Sequence, residues 1–74
     1  MTDQFALARQ TRARVLEVLE TGPATPAAVI EKVISIDDRL YTRDRVRRAI
    51  NTLLNWGQLE VRGGQIVLTR KDAP

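Results

Sequence analysis

Residues 41–70 read YTRDRVRRAINTLLNWGQLEVRGGQIVLTR, and this stretch decides the fold. Thr42 is a good N-cap, because its side-chain oxygen can accept from a free amide of the first helical turn. Asp44, in that turn, complements the positive end of the helix. Steps of roughly 100° per residue place Val46, Ala49, Ile50 and Leu53 on one stripe, with Leu54 and Trp56 on its edges. Asp44, Arg47, Arg48, Asn51 and Asn55 fall on the opposite side, Arg43 projects from the exposed N-terminal end, and Arg45 sits on the margin. Gly57 is the expected stop. Such a helix can pack a core with one face and lie in a DNA groove with the other.

The hairpin after it is equally explicit. Gly63-Gly64 is a two-residue turn of the kind that joins antiparallel strands. It sets Arg62 opposite Gln65, Val61 opposite Ile66, Glu60 opposite Val67 and Leu59 opposite Leu68. Faces alternate along a strand and opposed residues share a face. Leu59, Val61, Ile66 and Leu68 therefore land together on the side expected to face the core, while Arg62 and Gln65 flank the tip on the outer side. Trp56 is expected to pack the end of the helix against this hairpin, with a protein-contact role as the alternative.

Working back toward the N-terminus, a first helix is expected over about residues 3–20, capped by Thr2 or Asp3. Its apolar positions are Phe5, Ala8, Val15, Val18 and Leu19, with Leu7 and Leu16 beside them. Gly22-Pro23 ends it. Thr25 caps a second, short helix that starts at Pro26 and runs to about Ile34, with Ala27, Ile30, Val33 and Ile34 on its apolar side and Val29 adjacent. Between the two later helices lies SIDDRLY, residues 35–41. Here Ser35 is expected to cap a single turn over Asp37 and Asp38, and Ile36, Leu40 and Tyr41 to anchor the segment.

The chain has 74 residues, which is one domain, with an ordered core over about residues 3–70 and a tail at 71–74 expected to lack structure. Twelve Lys and Arg stand against nine Asp and Glu, a formal charge of +3, and the sequence pI is about 10.2. Ten of the twelve cations are Arg, whose planar fork suits phosphate and guanine; a GC-rich genome would give the same bias. With no Cys and no His, disulfides, Cys/His zinc sites and Ser-His or Cys-His catalysis are excluded. The acids Glu17, Glu20, Asp37 and Asp38 form no catalytic pair by spacing, so no enzyme and no cofactor is expected. No apolar run approaches the ~20 residues of a membrane span, and a cytoplasmic protein is expected.

The order of elements resembles the winged helix-turn-helix superfamily of prokaryotic and viral DNA-binding domains, an α+β fold of three helices followed by a two-stranded wing. The resemblance rests on RARVLEVLETGPATPAAVIEKV for the first two helices, TRDRVRRAINTLLNWGQLEV for the third and VRGGQIVLT for the wing. It implies that the third helix enters the major groove of double-stranded DNA. Carried over by position, Thr42, Arg43 and Asp44 at its start, Arg45 on its margin, and Arg47, Arg48 and Asn51 on its outer face would meet DNA, and Arg62 would touch backbone or minor groove from the wing. Arg47 and Asn51, one turn apart, have the chemistry to read guanine and adenine edges. Arg43, Arg45 and Arg48 suit phosphates. The start of the second helix, residues 25–27, resembles the family's phosphate-contacting helix end. Two features depart from the pattern: about seven residues separate Ile34 from Thr42, against three or four in the usual turn, and the wing is short.

Two functions follow as expectations. One is a sequence-specific or accessory DNA-binding protein, a small transcriptional regulator that binds as a homodimer, cooperatively, or beside a larger partner. The other is a winged-helix protein-interaction module without DNA binding. A plain structural account of the same residues also stands: Asp44 pairs with Arg47 or Arg48 as a surface bridge, and Tyr41 either packs its ring in the core or offers its hydroxyl to a phosphate.

Overall fold

In a computed structural model, which describes residues 4–69, the chain forms α1 (Gln4–Glu20), α2 (Pro26–Ile36), α3 (Arg43–Asn55), β1 (Leu59–Arg62) and β2 (Gln65–Leu68). Three helices followed by an antiparallel hairpin give a small α+β, winged-helix-like domain. The expected cap of α1 at Thr2 or Asp3 and the tail at 71–74 lie outside the described residues. No helix among the described residues is long and apolar enough to cross a membrane.

The α1 stripe that enters the core is Leu7, Thr11, Val15 and Leu19, spaced by four. Thr11 is a polar residue at its centre, and it is tolerated because its hydroxyl donates to the Leu7 carbonyl at 2.7 Å, leaving the methyl to pack. Phe5, expected on the apolar face, is instead 82% exposed, two residues before Leu7 and so roughly 200° out of phase with the stripe. In α2 the core residues are Val29 and Val33, with Ile30 and Ile34 half-buried; Ala27, expected among them, is exposed. Thr25 caps this helix as expected, accepting from the Ala28 amide at 3.2 Å.

Helix α2 runs two residues further than the sequence suggested, to Ile36, so the connection to α3 is correspondingly shorter. Ser35 does not cap a turn. It lies inside α2, and its hydroxyl donates to the Lys32 carbonyl at 2.7 Å. The turn belongs to Asp37, whose carboxylate accepts from the Arg39 and Leu40 amides at 3.0 and 3.3 Å, while its carbonyl accepts from Leu40 and Tyr41 at 3.2 and 3.0 Å. Tyr41 anchors the segment in the core at 1% exposure, but Ile36, expected to help, is 52% exposed.

Helix α3 buries Val46, Ala49, Ile50 and Leu53, the stripe expected from its phase. Thr42 accepts from the Arg45 amide at 3.2 Å. At the other end Gly57, at φ 78°, donates to the Leu54 carbonyl, and Gln58 donates to Leu53 at 2.9 Å. That is a Schellman closure, which needs a residue at ease with positive φ. It reverses the chain into β1.

The hairpin has the register set by its turn, Leu59 opposite Leu68 through Arg62 opposite Gln65, with both turn glycines at positive φ. One strand-like contact has no sequence signal. Ala24, between α1 and α2, donates to the Ile66 carbonyl at 3.2 Å and accepts from the Ile66 amide at 2.7 Å. β2 therefore lies between β1 and the Ala24 segment, and Ile66 is fully buried. Val61, its partner on the edge strand, shares the inward face but is 59% exposed near the tip, not in the core as its phase suggested.

Candidate nucleic-acid interface

The positive excess of the chain is concentrated on one element. Helix α3 holds four of the 12 cations and one of the nine acids, which leaves eight of each elsewhere. Packing fixes how these side chains are displayed. Because Val46, Ala49, Ile50 and Leu53 face inward, the residues between them must face out, and Arg43, Asp44, Arg45, Arg47, Arg48 and Asn51 are all exposed. Thr42 is exposed too, although its side-chain oxygen is engaged in capping.

Asp44 organises the outer face. Its Oδ1 accepts from Arg47 Nη2 at 3.3 Å, and its Oδ2 lies 3.2 Å from Arg48 Nε. The other arginines are held differently. Arg43 Nη2 sits 3.7 Å from Glu31 Oε1 on α2, and Arg45 donates to the Leu40 carbonyl at 3.4 Å. Arg62, at the wing tip, pairs with Glu60 on its own strand at 3.3 Å. The α3 residues thus form one surface. Arg62 stands on a separate element, and among the described residues no hydrogen bond or ion pair joins it to α3.

These pairs are weak restraints. The Arg43, Arg47, Arg48 and Arg62 side chains are well exposed, and exposed ion pairs contribute about 0–1 kcal/mol each. A phosphate can therefore displace the acids at little cost. Tyr41 is not available to a phosphate: its ring is buried and its hydroxyl accepts from Arg14 Nε at 3.3 Å. That contact and the Glu17 carboxylate, 2.9 Å from Arg14 Nη1, raise the arginine's pKa above its ordinary value, so it stays charged.

Trp56 departs from its expected place. It is the C-cap of α3, where Gly57 reverses the chain, and its ring is 57% exposed rather than enclosed against the hairpin. The ring lies instead under Arg12 of α1, with the guanidinium carbon 4.8 Å from its centroid, a cation–π arrangement. Sequence reasoning did not single out Arg12. The signal was the phase of Thr11: once Thr11 is core, Arg12 lies on the border of α1 facing α3. Comparison with protein-family models, curated proteins and solved structures finds no match.

Proposed function

We propose that the chain is a DNA-binding protein of winged helix-turn-helix type that places α3 in the major groove of duplex DNA and acts as a small transcriptional regulator or accessory factor. The observation that carries this reading is the confinement of the whole charge excess to the exposed face of the helix that the layout presents outward. Arg47 and Asn51 are the base readers; Arg43, Arg45 and Arg48 anchor phosphates, and Arg62 touches backbone from the wing. Titration of a labelled duplex at increasing salt tests it. With about 4–6 phosphates neutralised, log affinity falls with log salt at a slope of about −4 to −5. Absence of binding at low salt would end the proposal.

The second reading, a protein-interaction module, draws support from the exposed Trp56 ring, since aromatic anchors are enriched at protein interfaces. Arg47→Ala with Arg48→Ala separates the two. Loss of DNA binding by a folded variant supports the first reading, and an unchanged gel shift together with a lost pull-down partner supports the second.

A further inference from the structure

Two hollows flank α3, and their chemistries are opposite. One lies between α1 and α3; Arg12, Arg45 and Arg48 line it around Leu7, Ala8 and Ala49, with Asp44 as the one acid among the described residues that line it. The exposed Trp56 ring adjoins it beneath Arg12. The other lies at the end of α2, lined by Glu31, Asp37 and Asp38 around Ile34 and the exposed Ile36, with Arg43 as the one cation among the described residues that line it. Arg43 and Arg45 are two helical steps apart, roughly 200°, so the hollows open on opposite flanks of α3. Between them runs the ridge of Arg47 and Asn51.

We propose that the acidic–apolar flank of one copy docks into the basic–apolar flank of the next. Each flank combines an exposed large apolar side chain with a net charge of one sign, the pairing that interfaces use to fix partner and orientation. The surfaces are different, so the contact is head-to-tail and leaves a free surface at each end, giving an open row rather than a closed pair. The contact covers Arg43, Arg45 and Arg48 and leaves Arg47 and Asn51 open between the flanks. On the reading of α3 as the DNA-contacting helix, on which this part rests, three of the proposed phosphate anchors line the contact, so assembly of copies and binding of duplex compete.

The test uses the full chain and two variants, Arg12→Glu on the basic flank and Asp38→Arg on the acidic flank. Neither residue belongs to the proposed DNA contacts, and circular dichroism checks that both variants fold; Arg12→Gln and Asp38→Asn replace any that does not. In sedimentation equilibrium from micromolar to millimolar concentration, the parent chain is expected to form a series beyond the dimer. Each variant alone is expected to associate at least about tenfold more weakly. Mixed one to one, the variants retain one intact basic and one intact acidic flank between them, and so are expected to give a dimer that grows no further. A saturating one-site duplex is expected to dissolve the parent series into duplex-bound monomers, because a duplex held by Arg43, Arg45 and Arg48 excludes the contact between copies. A parent chain that stays monomeric up to millimolar concentration overturns the proposal. So does a mixture that fails to pair when the parent assembles. A parent series that persists with duplex bound, or an unchanged association in both variants, overturns it as well. If no duplex is bound at all, the functional reading fails while the sedimentation series still decides the contact between copies.

Discussion

Ala24 and Ile66 exchange both of their backbone hydrogen bonds, at 3.2 and 2.7 Å, and so tie the segment between α1 and α2 to the inner strand of the hairpin. Ile66 is at the same time fully buried among side chains of the helices. Truncation there removes packing that no neighbour can replace. Ile66→Ala is expected to cost about 2–4 kcal/mol. A chain of 74 residues has a stability on the order of 4–11 kcal/mol, so urea unfolding should show a large fall in midpoint. A change below about 1 kcal/mol would show that the wing is not part of the cooperative core.

Asp44 restrains two arginines at once, so its removal acts on affinity and on stability in opposite directions. Asp44→Asn frees Arg47 and Arg48 and deletes a negative charge facing phosphate. Affinity for any duplex, including a scrambled one, is expected to rise several-fold at low salt, an effect that fades as salt screens it. The helix loses a favourable N-terminal charge worth about 0.3–1 kcal/mol. Fluorescence anisotropy with matched and scrambled duplexes, beside thermal unfolding, reads both; unchanged or weaker DNA binding would refute the restraint.

The division between readers and anchors on α3 has its own signature. Arg43→Ala is expected to weaken binding to all sequences alike and to lower the salt slope by about 1. Arg47→Ala or Asn51→Ala should instead reduce the preference for a selected site by about 1–3 kcal/mol. Competition assays with a selected site and genomic DNA distinguish these patterns. Equal losses on both DNAs for Asn51→Ala would remove it from the readers.

Thr42 supports the interface from behind. Its side chain accepts from the Arg45 amide at 3.2 Å, which fixes the first turn of α3 where the arginines begin. Thr42→Ala is expected to cost about 1 kcal/mol. For a domain of this size that lowers Tm by about 4–8 °C in a thermal melt. Thr42→Ser should recover most of the loss, since the hydroxyl does the capping.

What the sequence made legible was governed by local chemistry. Gly63-Gly64 sets the strand register because the turn alone determines which residues oppose, and Thr42 and Gly57 bound α3 because caps act within a few residues. The outer face of α3 was legible from helical phase. Other features depended on tertiary partners. Thr11 belongs to the core only because its hydroxyl finds the Leu7 carbonyl, and a polar residue type hides that. Ala24 carries no strand pattern, since a single residue has no period. The Arg43–Glu31 and Arg12–Trp56 contacts join different helices, so no spacing along the chain encodes them. Trp56 was misplaced for the same reason: the side on which Gly57 turns the chain decides what its ring meets.

The Asp37 turn and the buried Tyr41 bear on how α3 is aimed. The connection from Ile36 to Arg43 is longer than a compact helix-turn-helix link, and yet it has little slack, because both ends are clamped. Through its hydroxyl, Tyr41 also registers against Arg14 of α1. The bearing of the helix is thereby set by two clamps of different reach. Extra residues placed at Asp38 or Arg39 would part Asp37 from the amides of residues 39–41 and undo the first, whereas loss of the Tyr41 ring would undo the second and turn a fixed mount into a hinge.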